Sequence, residues 1–138
     1  NVGEDLKPIN QIASGGEISR IMLAVKTILA RADQIPILIF DEIDTAIGGK
    51  IAQVVGKKLR ALSPNHQVIC VTHLPQIAVF ATNHYYVDKK VSAGRTKTVV
   101  ALLDRKGRES EIARMLGGER LTEITLKHAR EMIREGRS

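Results

Sequence analysis

Apolar residues recur at Ile18, Ile21, Met22, Val25, Ile28 and Leu29, the spacing of one helical stripe, and predict a helix with one buried face that ends near Arg31 or Ala32. Its start is signalled by Ser14-Gly15-Gly16-Glu17. There the serine hydroxyl can accept from the Glu17 N–H while the Glu17 carboxylate reaches back to the Ser14 N–H, a capping box. Pro36 marks the exit from this helix, and Ile37-Leu38-Ile39-Phe40 follows as a continuous apolar run, which predicts a central strand buried on both faces. After Gly48-Gly49, residues Ile51, Val54, Val55, Leu59 and Leu62 predict a second amphipathic helix that stops before Ser63-Pro64-Asn65. Val68-Ile69-Cys70-Val71 then repeats the buried-strand pattern. Two strands joined by a helix make a β-α-β unit with parallel strands and a right-handed crossover.

The later half reads differently. Leu74 to Ala81 predicts a short helix, and His84 to Val91 and Thr96 to Leu103 predict strands joined through Ser92-Ala93-Gly94-Arg95 as an antiparallel hairpin. Arg108 to Leu116 and Thr122 to Glu135 predict two closing helices, broken at Gly117-Gly118. The pattern is that of an α/β fold: a mostly parallel sheet flanked by helices, then a β-hairpin and two closing helices. No internal repeat or low-complexity stretch interrupts it.

A length of 138 residues predicts one compact unit, and 43% hydrophobic with 26% charged residues is the composition of an ordinary globular chain. Aromatic residues are 3%, so the core is expected from Ile, Leu, Val and Ala, and base stacking on aromatic platforms is disfavoured. Cys70 is the one cysteine and lies in an apolar run, where it packs as a small hydrophobe. The first five residues carry neither the basic start nor the apolar core of a secretory signal, and no apolar run approaches bilayer length. Together these predict a cytoplasmic chain with no membrane partner. The net charge of +6 is uneven: residues 1–49 hold four basic against seven acidic side chains, and residues 50–138 hold seventeen against eight. A basic surface can attract DNA, RNA or anionic lipid, and it can equally be a set of solvated helix faces.

Candidate chemistry gathers after the strands. Ligands bind beyond the carboxyl ends of parallel strands, so Asp41, Glu42, Asp44 and His73 are expected to converge on one edge. An acid there can hold Mg²⁺ through water, and a second beside it can polarise an attacking water. Turn formation and solvation are the plain alternative for these acids, and local hydrogen bonding for His73. Ser14-Gly15-Gly16 can be an anion site, because bare glycines let phosphate approach the backbone N–H groups of a helix start, or simply an N-cap. No segment fits Gly-x-x-x-x-Gly-Lys-Ser/Thr; Gly48-Gly49-Lys50-Ile51 has neither the spacing nor the hydroxyl.

Taken in order, Ala13-Ser14-Gly15-Gly16-Glu17, Ile37-Leu38-Ile39-Phe40-Asp41-Glu42, Asp44 and His73 resemble the signature motif, Walker B, D-loop and switch histidine of ABC-type ATPases. Glu17, and Ile43-Asp44 after the acid pair, are more similar to the SMC-like chromosome and repair ATPases than to transporter subunits. The resemblance is most specific to the bacterial RecN family, through 14–24, 40–49, 71–78 and 113–118, and covers nearly the whole chain. It implies the C-terminal lobe of an ABC/SMC-type P-loop ATPase head, whose phosphate loop lies in an amino-terminal lobe of the same protein. It further implies ATP and Mg²⁺ as ligands, with Asp41 supporting the metal, Glu42 activating water and His73 sensing the γ-phosphate. Ser14, Gly15, Gly16 and Glu17 would act in trans on nucleotide held by a second head, in a homodimer, and Asp44 would sit at that interface. The implied setting is the bacterial cytoplasm, nucleoid-associated, with DNA ends or duplex as partner in double-strand break repair and recombination. Lys57, Lys58, Lys89, Lys90, Arg105, Lys106 and Arg108 are candidates for backbone contact by charge. The alternative is a non-hydrolysing head-association or DNA-binding module; the presence of Glu42 favours hydrolysis over that reading.

Overall fold

The computed structural model describes residues 7–30, 32, 34–92 and 95–137. The expected helix end at Arg31, the reading of the first five residues, and the hairpin-turn residues Ala93 and Gly94 lie outside them. The chain folds as two compact units, residues 1–72 and 73–138, where its length suggested one. Each two-stranded sheet stays inside one unit, so neither ladder unites the chain. The architecture is a mixed helix-and-strand one with short sheets.

The first unit begins with a single turn, α1 (Ile9–Ile12), and continues with α2 (Gly15–Leu29), β1 (Ile37–Phe40), α3 (Gly49–Leu62) and β2 (Gln67–Cys70). Strands β1 and β2 pair in parallel, with Leu38 opposite Val68 and Phe40 opposite Cys70. The ladder extends by Gln67 N–H to Pro36 O at 2.8 Å and Val71 N–H to Phe40 O at 3.0 Å. Leu23, Leu38, Phe40, Ile43, Ala52, Val55, Leu59 and Leu62 are its buried apolar side chains.

The expected burial fails in several places in this unit: besides β1 and α2, Ile69 and Val71 of the second apolar run and Ile51 and Val54 of α3 are exposed. Strand β1 is buried on one face only: Leu38 and Phe40 are inside, while Ile37 is exposed and Ile39 is 69% exposed. The predicted buried stripe of α2 is likewise open, with Ile18, Ile21, Met22, Val25, Leu29 and, at 82%, Ile28 all exposed, and Leu23 buried in their place. The physical reason is size. Two strands and two long helices offer each apolar surface one layer to pack against, and a run written for two-sided burial is left half covered.

The second unit contains α4 (Pro75–Ala78), β3 (Tyr85–Ser92), β4 (Arg95–Leu102), α5 (Arg105–Gly117) and α6 (Glu123–Arg137). Its core is Ala78, Val79, Ile112, Ala113, Ala129, Met132 and Ile133, with Phe80, Met115, Leu116 and Leu126 packed against it. Helix α4 is one turn, shorter than the predicted 74–81, and a 3.1 Å bond from Val79 N–H to Pro75 O closes it. Helix α5 starts three residues before the predicted Arg108. Asp104 caps it, accepting from Gly107 N–H at 2.7 Å. Gly118, at φ 78°, ends it with its N–H on Arg114 O at 2.8 Å, as the Gly117-Gly118 break anticipates. Strands β3 and β4 pair antiparallel, from Tyr85 opposite Leu102 to Ser92 opposite Arg95. No helix among the described residues is long and apolar enough to cross a membrane.

Candidate functional site

The Ser14-Gly15-Gly16-Glu17 start of α2 is the capping box its sequence predicts. Ser14 Oγ accepts from Glu17 N–H at 3.3 Å, and Glu17 Oε2 accepts from Ser14 N–H at 2.8 Å and from Ser14 Oγ at 2.9 Å. Those bonds, the backbone one first, hold the Glu17 carboxyl below its ordinary range. The cap fixes where α2 begins, and so where its free N–H groups point.

This helix start is docked on the loop that leaves β1. Ser19 Oγ donates to Asp41 O at 2.8 Å, and Arg20 Nη1 donates to Ile43 O at 3.2 Å and Thr45 O at 2.9 Å. The contact is close enough to require glycine at 16, while at 15 the neighbour is the movable end of the exposed Glu42 side chain. A Cβ on Gly15 would overlap Glu42 Oε2, and one on Gly16 would lie 2.8 Å from Glu42 O and 2.9 Å from Thr45 Cβ. Gly16 therefore has a packing role inside the chain that motif reading did not supply. Glu42 (φ 56°) and Ala46 (φ 59°) adopt the left-handed region that non-glycine residues rarely occupy, so the 41–46 loop is strained and is held in shape by what surrounds it.

Within that loop the two strand-end acids differ. Asp41 is exposed, and one of its oxygens, Oδ1, accepts from Glu42 N–H at 2.9 Å. Its second carboxylate oxygen suits Mg²⁺ bound in the usual way, through one or two carboxylates, waters and phosphate oxygens. No cluster of three or more His, Cys, Asp or Glu side chains able to cage a metal occurs among the described residues, so the fit is to a shared ion and not to an all-protein cage. Glu42 is exposed beside Gly15. Asp44 is 5% exposed, and Thr72 Oγ1 donates to its Oδ2 at 2.7 Å. It ties the loop after β1 to the residue that closes this unit after β2.

His73 is exposed and opens the second unit, while Asp41, Glu42 and Asp44 belong to the first. Sequence reasoning missed Ser19, Arg20 and Thr72, whose signal was their position one turn into a capped helix or just past a strand. Cys70, expected to pack inside an apolar run, is half-buried. Burial first, then the Asp44 and Asp41 charges, push its thiol up to about 12. Arg108, expected as a surface cation, is 4% exposed. Its guanidinium donates to Val79 O at 2.9 Å and to Ala78 O and Thr82 O at 3.4 Å.

Several relatives match this chain almost from end to end. It is 47% identical over 133 residues to the DNA repair protein RecN of Halalkalibacterium halodurans, 42% over 135 residues to that of Bacillus subtilis, and 50% over 133 residues to that of Deinococcus radiodurans. The chain is RecN-like. Those alignments cover 96%, 98% and 96% of it but only 24%, 23% and 23% of the relatives, so it spans about a quarter of their length. The similarity is consistent with the carboxy-terminal part of RecN. No family model matches the chain.

Proposed function

We propose that this RecN-like chain is the carboxy-terminal lobe of an SMC-like ATPase head, acting in the bacterial cytoplasm, near the nucleoid, in DNA double-strand break repair and recombination. The observation that carries the reading is the docking of the capped α2 start on the strained 41–46 loop. It joins signature-like glycines and a strand-end acid pair in one piece.

In that reading Asp41 would hold Mg²⁺, and Glu42 would take a proton from the attacking water. Bound MgATP supplies the phosphoryl group, and positioning with charge stabilisation supplies most of the rate. His73 contacts the terminal phosphate. Ser14, Gly15 and Gly16 present backbone N–H groups of a fifteen-residue helix to phosphate held by a second head. Because Asp44 is turned into the unit and bonded to Thr72, its role is to hold the loop, and coupling between heads passes through the loop backbone. The exposed apolar side chains of α2 and of β1 suit an amino-terminal lobe of the same protein, bearing the phosphate loop that this chain lacks.

The test is MgATP turnover by the whole protein with Glu42 and with Glu42→Gln. Loss of a general base lowers turnover by about 10²- to 10⁴-fold while ATP stays bound. Equal rates would remove Glu42 from the chemistry, and turnover in neither protein would favour a head-association module.

A further inference from the structure

The β3–β4 register places three of the hairpin's four cations on one face near its turn, with Lys89, opposite Thr98, on the other. Lys90 stands directly opposite Lys97, and the next pair outward on that face is Ser92 with Arg95. Directly opposed like charges destabilise a strand pair, and Lys90, Lys97 and Arg95 are all exposed, with no ion pair among the described residues. Across both strands there is one acid, half-buried Asp88, a pair further toward the base on the same face. A local cost of this kind is recovered when a polyanion lies across the cations. Strand geometry spaces them about 5–7 Å apart, the rise of roughly two phosphates along one nucleic acid strand.

We propose that the Lys90, Lys97 and Arg95 face of the β3–β4 hairpin grips the phosphate backbone of duplex DNA without reading its sequence. This rests on the reading of the chain as part of a DNA-repair protein. It assigns the contact to the hairpin and not to the other exposed cations. Of the hairpin's two aromatic side chains, Tyr85 lies on the opposite face, paired with Leu102, and Tyr86, on the cations' own face, is half-buried with the Arg114 guanidinium 6.0 Å over its ring, so neither is an open platform for base stacking.

The experiment uses the whole protein, a random-sequence duplex and a salt titration, comparing wild type with Lys90→Thr/Lys97→Thr and with Lys57→Thr/Lys58→Thr on α3. The hairpin variant replaces a repulsive pair with two strand-favouring residues, so it folds at least as well as wild type. Its expected signature is affinity lower by about ten- to a hundredfold at 0.1 M salt. The slope of log affinity against log salt becomes shallower by about 2, while the α3 variant is unchanged. Unchanged affinity and slope in the hairpin variant would overturn the assignment while leaving the ATPase reading intact. Absence of duplex binding by the wild type would overturn the DNA partner itself. A loss of binding confined to anionic vesicles, with duplex affinity kept, would overturn it in favour of a membrane surface.

Discussion

The two units solve the same problem with different success. In the second, α5 and α6 close on one another and on Ala78 and Val79, and Ile112, Ala113 and Ala129 are wholly buried. Even the buried cation Arg108 is partly matched, because carbonyls of residues 78, 79 and 82 take its Nη N–H groups, although its buried Nε has no hydrogen-bond partner. The first unit buries Ile43 and Leu62 as completely, yet leaves most of the α2 stripe and one face of β1 open. Helix α2 has apolar spacing that fits burial and polar capping that fits a helix; what is missing is the layer above it. A stripe of this kind, unmatched within its own unit, belongs to a larger body.

The largest effects should therefore separate the units. Ile112→Ala removes a fully buried side chain from a closed core and should cost about 2–5 kcal/mol, read as the shift of a denaturant midpoint at constant slope. Ile28→Ala removes a side chain that is 82% exposed and should change the stability of this chain by less than about 0.5 kcal/mol. In the whole protein the same substitution should cost about 1–3 kcal/mol if the proposed amino-terminal lobe covers the stripe. Equal costs for Ile28→Ala in both settings would show that nothing packs on α2.

Gly16→Ala sharpens the comparison from inside the first unit. Its Cβ would meet Glu42 O at 2.8 Å and Thr45 Cβ at 2.9 Å, and both belong to the strained loop, which has little room to yield. About 1–3 kcal/mol should be lost by overpacking. Turnover of the whole protein should fall with it, because the loop that carries Asp41 and Glu42 must move. Unchanged stability and turnover would mean that α2 and the loop are not a rigid pair.

These cases show why some of the structure could be read ahead and some could not. The capping box at Ser14 and the cap role of Gly118 rest on near neighbours in sequence, and local chemistry decides them, whereas the register of the hairpin was not legible. Burial of the α2 stripe and of Ile39 depends on what lies across from them, which spacing alone cannot supply. Arg108 was misplaced for the same reason: charge suggested solvent, while three carbonyls twenty-six or more residues away hold it inside. The candidate site was legible as residue types after strands. The docking that assembles part of it depends on Ser19 and Arg20, whose contacts lie more than twenty residues away.

Cys70 provides a pH test confined to the first unit. Its thiol is raised from near 9 to about 12 in the folded chain, chiefly by burial. A raised pKa stabilises the fold below the unfolded value, and that contribution is lost as pH climbs from about 9 toward 12. The first unit should therefore lose stability over that range, and Cys70→Ala should flatten the part of the decline that the thiol causes. Alkylation at pH 8 should be slow in the folded chain and fast in denaturant; fast alkylation in both would contradict the burial.

The smallest effect belongs to the second unit's surface. Glu109 Oε2 accepts from Arg130 Nε at 2.8 Å and its Oε1 from Arg105 Nε at 3.2 Å, so one carboxylate on α5 holds a cation on α6 and one on its own first turn. The Arg130 hydrogen bond first, then that from Arg105, lowers its carboxyl below the ordinary range. A lowered pKa gives stability that is present above the unfolded value and lost as pH falls through the folded one, so the pair contributes at neutral pH and not in acid. Both arginines are exposed, so solvent and salt screen the gain, and Glu109→Gln should cost only about 0.2–1 kcal/mol at neutral pH and low salt. That difference should shrink toward zero in acid or in 1 M salt. A larger, salt-independent loss would mean that Glu109 acts through packing of α5 on α6, and would make the closed core of this unit depend on its rim.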